Sequence, residues 1–370
     1  MDRLRAADVL LVSLGSTPGL RRADDELADS LRRAGASVAL VRAEPPAQLP
    51  TLMLTDLAWA RAARVAAARM LAQLRGAVAV IYSSTTAALL WPRPGAIRFD
   101  AVSRGNRPGR HGLWQRPLER RRLAQAPLLL PWSEGALLEL PAPSHPEKTI
   151  VLPVPIAASA PAASAPGASA GSGADLHSAS GEPAFGSGTR DIAALTYAAN
   201  PSKKGLDRVL SAWRRVRAAR RHPAAEELVV AGASAPELER AGLIAPGEAG
   251  VRAVGSLAAE EYRALLRRAR VFVCAPRRED FGIAQLEALA DGCLLVTNAA
   301  PGPYAALPIA RELDPRLTGE DLAGSLLTAL DDPVPDYAQR AHAALAPFRR
   351  EAVDRLVARQ LLPRLLSEAL

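Results

Sequence analysis

The chain of 370 residues is 49% hydrophobic and 23% charged, enough apolar material for a sizeable core divided between two domains. These proportions exclude wholesale disorder, and no apolar run is long enough to span a bilayer. The formal net charge is +8 and its excess lies in the first half. Aromatics make up only 4% and do not interleave with the basic side chains, so a base-stacking surface for nucleic acid is not expected.

Residues 8–14 form the first apolar run. The run is short, begins with an acid and is followed by no clean small-residue cleavage site, which predicts a buried strand rather than a secretion signal. A helix over 23–34, ended by Gly35, a strand over 37–41, a helix over 58–74 and a strand over 78–82 follow, with further apolar runs at 126–130 and 149–152. Between them lies a basic segment, Arg104, Arg107, Arg110, Arg116, Arg120, Arg121 and Arg122, opposed by Glu119. It is either a solvated face or a dock for an anionic membrane surface or a phosphorylated substrate. Residues 157–190 are Ala/Ser/Gly/Pro-rich with almost no large apolar side chains, the composition of a mobile linker or insertion.

The second half repeats the alternation, with strands expected at 192–197, 227–231, 251–254, 270–274 and 294–297 and helices near 204–220, 258–269, 283–291 and 319–330. Strands separated by helices predict parallel sheets covered on both faces. The expected organisation is therefore α/β with two doubly wound, Rossmann-like domains: 1–156, a linker over 157–190, 191–348, and a terminal helix over 349–370. Ligands of such sheets lie beyond the carboxyl ends of the strands. Cys274 and Cys293 each fall in a strand-like stretch, as small core residues of a reducing compartment do, so a cytoplasmic location is expected. The scattered histidines, His111, His145, His177, His222 and His342, show no metal-ligand spacing.

The most informative segment is Val271-Phe-Val-Cys-Ala-Pro-Arg-Arg-Glu279-Asp-Phe-Gly-Ile-Ala-Gln-Leu-Glu287-Ala-Leu-Ala-Asp-Gly292. It runs strand, loop, helix, glycine. Glu279 falls in the loop and Glu287 one turn into the helix, while Phe281, Gly282 and Ile283 offer backbone N–H groups at a helix start, where free donors and the helix dipole favour an anion such as a diphosphate. Carboxylates so spaced accept hydrogen bonds from vicinal hydroxyls. Together they imply a nucleotide sugar. Taken singly, each acid could equally be an ordinary helix acid, and Lys204 a surface lysine.

This segment resembles the E-x7-E region of retaining GT-B glycosyltransferases of family 4, the glycosyl transferases group 1. The resemblance extends through Asn200-Pro-Ser-Lys203-Lys204-Gly205-Leu-Asp207 and Gly255, and more weakly to Gly15 and Gly19 after the first strand. It implies the GT-B fold, a cleft between an acceptor domain and a donor domain, and a last helix that crosses back to the first domain. It further implies that Glu279 contacts the transferred sugar, Glu287 grips the ribose, and Lys204, with Lys203, Gly205 and Gly19 nearby, lines the donor diphosphate. The implied activity is transfer of a hexose from a UDP- or GDP-linked donor to a glycan, lipid-linked or small-molecule acceptor, with retention and without cofactor or metal ion.

Three departures stand out. Ala199 replaces an Arg that usually accompanies the Lys, so one phosphate contact is missing or comes from Lys203 or another Arg. Phe99 stands where an acceptor-side His is common, which leaves Asp100 as the candidate polar residue there. Residues 299–304 replace a Gly-Gly loop followed by Glu. These motivate an alternative: a catalytically silent relative that binds a nucleotide sugar or serves in a glycan-assembly complex.

Overall fold

A computed structural model describes residues 5–47, 49–107, 109–141, 146–157, 190–220 and 226–367. Most of the segment expected as a linker, 158–189, lies outside the described residues, as do His145, His177 and His222. The chain forms two five-stranded, all-parallel sheets.

The first sheet contains β1 (Val9–Ser13), β2 (Val38–Arg42), β3 (Ala79–Tyr82), β4 (Ala96–Phe99) and β5 (Leu129–Pro131), in the order β2-β1-β3-β4-β5. Val9 to Val12 are wholly buried because helices cover both faces, which is why β1 is an unbroken apolar run. Helix α1 (Pro18–Arg33) begins more than a turn before its expected start at 23. The Thr17 side chain accepts from the N–H of Leu20 and Pro18 takes the first helical position, so the cap starts the helix before its apolar stripe does. Helix α2 (Leu52–Gln73) buries an alanine face at Ala60, Ala63 and Ala67, and α3 (Gln115–Gln125) carries part of the basic segment. The run at 149–152 adds no ladder of its own. It extends along β5, with the N–H groups of Ile150 and Leu152 donating to Leu129 and Pro131.

The second sheet contains β6 (Ile192–Tyr197), β7 (Leu228–Ala231), β8 (Val251–Gly255), β9 (Ala269–Cys274) and β10 (Leu294–Thr297), in the order β8-β7-β6-β9-β10. Its helices include α4 (Leu206–Ala219), α5 (Ala259–Arg268) and α6 (Ile283–Ala290). The strand order reverses between β6 and β9, and in the first sheet between β1 and β3. A doubly wound sheet opens its ligand crevice at that switch point, past the carboxyl ends of the strands.

The chain crosses between lobes at two adjacent places, where the N–H of Ile156 donates to the carbonyl of Phe348 at 2.8 Å. Beyond the second crossing, Val353, Val357, Leu361 and Leu365 pack with Val9, Leu11, Leu27, Leu31 and Ile81 in the core of the first lobe. Asp354 fixes this segment to α1, accepting from Ser30 at 2.6 Å and pairing with Arg33 at 2.7 Å. Among the described residues no helix is long and apolar enough to cross a membrane.

Candidate functional site

The loop after β6 and the loop after β9 meet at the switch point of the second lobe. Asn200 caps the short helix Pro201–Lys204 by accepting from the N–H of Lys203 at 3.0 Å. Gly205 then takes the left-handed conformation, φ 63°, where a side chain would collide with the carbonyl of Ala275. Only glycine lets the loop turn there and lie flat on its neighbour. The N–H of Arg277 donates to the carbonyl of Lys203 at 3.1 Å, and the Arg277 guanidinium pairs with Asp207 at 2.8 Å. Held this way, the Lys204 Nζ donates to Glu279 Oε2 at 2.7 Å.

Glu279 is 6% exposed and also accepts from Gln285 Nε2 at 3.1 Å. Gly282, φ 93°, forms the N-cap of α6, and a Cβ there would lie 2.8 Å from the Tyr304 ring. The Phe281 side chain turns away from the crevice and packs between lobes, edge-on to Trp132 with centroids 5.4 Å apart. Its backbone, with those of Gly282 and Ile283, opens α6. One turn on, Glu287 is 4% exposed and pairs with Arg22 Nη1 at 2.5 Å.

The first lobe presents its own switch point to this crevice. A Cβ at Gly19, at the start of α1, would lie 3.7 Å from Ile283 Cδ1, so the starts of α1 and α6 touch. Gly15 makes the preceding turn, and its carbonyl accepts from Arg21 Nε at 2.7 Å. Asp100 follows β4, its carboxylate accepting from the N–H of Ala101 at 2.9 Å. Burial and the charge of nearby Asp280 push its carboxyl up to about 6 from 3.8, and Lys203 opposes the shift. Asp280 itself holds Arg278 Nε at 2.7 Å and lies 3.5 Å from Lys203 Nζ. Arg278 reaches on across the cleft to Glu139 at 2.9 Å.

Of the residues singled out in the sequence, Lys204 contacts Glu279, Gly205 lies against Ala275 and Gly19 against Ile283, Lys203 and Asp100 lie near Asp280, Phe281, Gly282 and Ile283 open α6, and Glu287 pairs with Arg22 of the first lobe. Phe281 contributes only its backbone to the crevice, since its ring is core. Phe99 is 1% exposed and packs in the core of the first lobe, which leaves Asp100 as the polar group just past β4.

Several neighbours escaped notice in the sequence: Arg22, Arg278, Asp280, Gln285 and Trp132. Arg98 is another. It is 1% exposed, lies 3.5 Å from Asp24, and stacks over Trp132 with its guanidinium carbon 4.7 Å from the ring centroid. Burial raises the Asp24 carboxyl and lowers Arg98 to about 10, and Ser13 Oγ donates to Asp24 at 2.5 Å. An acid on the apolar face of a helix and an arginine inside an apolar run form a detectable signal, because a buried charge requires a partner.

The basic segment divides in two. Arg107 chelates Asp56 at 2.6 and 3.0 Å, Arg116 donates to the carbonyls of Gly109 and Gly112, and Arg122 holds the Leu89 carbonyl and stacks over Trp91. Arg104, Arg110, Arg120 and Arg121 are exposed, as is Leu113 at 63%. Among the described residues no group of three or more His, Cys, Asp or Glu could hold a metal ion.

The family model described as "Glycosyl transferases group 1" matches residues 192–332, the second lobe. No curated protein sequence matches the chain. Solved structures do resemble it in fold. One is an α,α-trehalose-phosphate synthase (UDP-forming) from Burkholderia xenovorans in complex with glucose-6-phosphate, 12% identical over 98% of this chain and 100% of that one, TM-score 0.63. Another is sucrose-phosphate synthase from Thermosynechococcus elongatus, 15% identical over 97% and 99%, TM-score 0.65. A third is WaaG, a glycosyltransferase involved in lipopolysaccharide biosynthesis, 14% identical over 99% and 98%, TM-score 0.56. The chain therefore has the GT-B glycosyltransferase fold, and its second lobe carries the match to glycosyl transferases group 1.

Proposed function

We propose that this protein is a retaining glycosyltransferase that moves a hexose from a UDP- or GDP-linked donor to a glycan, sugar-phosphate or lipid-linked acceptor. The observation that carries the reading is the contact of Lys204 with Glu279 beside the glycine-capped start of α6, at the switch point of a lobe that matches group 1 transferases. The donor diphosphate occupies the amide-lined start of α6, with Lys204 and Lys203 as its cations. Glu279 accepts from hydroxyls of the transferred sugar and Glu287 from the ribose. As the bond from the anomeric carbon to the diphosphate breaks, negative charge grows on the phosphate oxygens. A positioned ammonium and fixed amide dipoles stabilise that charge more in the transition state than in the bound donor. Asp100, from the other lobe, orients the acceptor hydroxyl. Gly205 lets the Lys204 loop lie against the loop after β9, and the cations present do the neutralising that a metal ion does elsewhere.

Named neighbours support the donor and acceptor classes: a UDP-forming synthase with glucose-6-phosphate bound and a lipopolysaccharide transferase. The test is a mass-spectrometric screen of UDP- and GDP-hexoses against sugar, sugar-phosphate and lipid acceptors. Release of the nucleoside diphosphate together with a hexose-bearing product is expected. The absent Arg at Ala199 and the absent His at Phe99 favour a second reading, a silent nucleotide-sugar binder. Nucleotide binding with no product in any pairing would select it.

A further inference from the structure

The guanidinium of Arg278 is held by Asp280 and Glu139, so the second lobe offers no uncommitted guanidinium at the start of α6. Ala199 stands beside the Lys204 loop with its backbone against Gly232, and Arg277 is engaged by Asp207. A diphosphate bound at the start of α6 gains from positive charge beyond Lys203 and Lys204, since each of them also faces a carboxylate, Asp280 and Glu279, and two phosphates carry their charge into a partly dry cleft. The guanidinium that enters this part of the site comes from the first lobe. Arg22 lies one turn into α1 and contacts Glu287, one turn into α6. The starts of the two helices touch at Gly19 and Ile283, so α1 begins beside the proposed diphosphate gap at the start of α6.

Side chains on a helix lean toward its N-terminus, and one turn is about 5 Å of rise. A long side chain at Arg22 therefore spans from Glu287 back to that gap. The Arg22 side chain is 39% exposed whereas that of Glu287 is 5% exposed; the arginine is the partner with freedom to move. Without ligand, Arg22 compensates a carboxylate that would otherwise be buried without a counter-charge. Ribose hydroxyls donating to Glu287 would remove that need.

We propose that Arg22 is a further diphosphate-binding cation of this protein, beside Lys203 and Lys204 and delivered from the opposite lobe: it pairs with Glu287 in the absence of donor and moves onto the donor phosphates when the ribose takes Glu287. The inference rests on the transferase reading and assigns it one further residue. It makes diphosphate binding depend on closure of the two lobes, since the guanidinium is fixed to the first and the amides to the second.

The test compares UDP and GDP with uridine and guanosine as ligands of the wild-type and Arg22→Ala proteins, by ligand-observed NMR titration. For the base that the wild type binds, Arg22→Ala should weaken the diphosphate about tenfold or more and leave the nucleoside unchanged or tighter, because the ribose no longer competes with a guanidinium for Glu287. Arg22→Lys should recover part of the loss. If Arg22 is only a strut between lobes, nucleoside and diphosphate weaken in the same proportion, and that result overturns the proposal, as does unchanged diphosphate binding. A wild-type protein that binds none of the four probes overturns the transferase reading itself, and this inference with it.

Discussion

Asp100 shows how one side chain can carry two measurable consequences. Its carboxyl titrates near 6 in the folded protein against 3.8 for the free group, through burial and the neighbouring Asp280 carboxylate. A carboxyl that holds its proton more tightly when folded contributes stability that is full below the unfolded value and is lost as pH rises through the folded one. Asp100→Asn should therefore melt at a higher temperature than the wild type above pH 6, with the difference vanishing toward pH 4. A variant less stable at neutral pH would show that the carboxylate has a favourable partner there. On the proposed role of Asp100, in which the ionised form accepts from an acceptor hydroxyl, the same variant should also lose the rise in transfer rate across pH 6. The two glutamates of the motif and Lys204 stand out as candidates in the sequence because they fall in short segments with a recognisable pattern, and the structure brings Lys204 onto Glu279. Arg22 was not, since its importance comes from a contact 265 positions away in sequence. Asp280 and Arg278 stood next to Glu279 and were passed over, as nothing in a single sequence distinguishes a cleft charge from a solvated one.

At the level of elements, periodicity was a good guide wherever burial was uniform. Strands β6 and β10 occupy the residues expected, 192–197 and 294–297, because each opens on an apolar run, Ile192–Leu195 and Leu294–Val296, that is largely buried. Strand β4 was not expected as a strand: Arg98 interrupts its apolar pattern, and the pairing with Asp24 that makes the residue tolerable is a tertiary fact. The C-terminal segment is a second case. Its pattern of Val353, Val357, Leu361 and Leu365 marks an amphipathic helix, while its partner surface, on β1 and α1, is visible only in the fold. Leu361 is wholly buried there. Leu361→Ala should cost about 2–5 kcal/mol, read as a lower denaturant midpoint for the first lobe. A change within about 0.5 kcal/mol, the level of a surface substitution, would mean that the segment does not dock on that lobe in solution.

Across the whole molecule, the two lobes meet through polar contacts and through apolar ones in which Leu20, Ala23 and Trp132 join the core of the second lobe. Arg22 with Glu287 and Arg278 with Glu139 bridge the cleft, Ser133 Oγ donates to the Pro303 carbonyl at 3.1 Å, and Trp132 meets Phe281. Charge pairs of this kind exchange partners more readily than an apolar seam separates, which suits a cleft that must admit a donor. On the first lobe, exposed Arg104, Arg110, Arg120 and Arg121 beside exposed Leu113 suit contact with an anionic lipid surface that presents the acceptor. Sedimentation with vesicles containing anionic lipid should fall as salt is raised and on replacing these four residues with Ala. Sedimentation indifferent to both would remove the membrane from the account.

The most direct test of the account is transfer measured by mass spectrometry with the donor found in the screen, in wild-type, Glu279→Ala and Lys204→Ala proteins of equal melting temperature. Each substitution removes one group that acts on the reacting sugar or on the leaving diphosphate, and each should lower the transfer rate by about 100-fold or more. Wild-type rates in both variants would contradict the assignment of chemistry to this crevice.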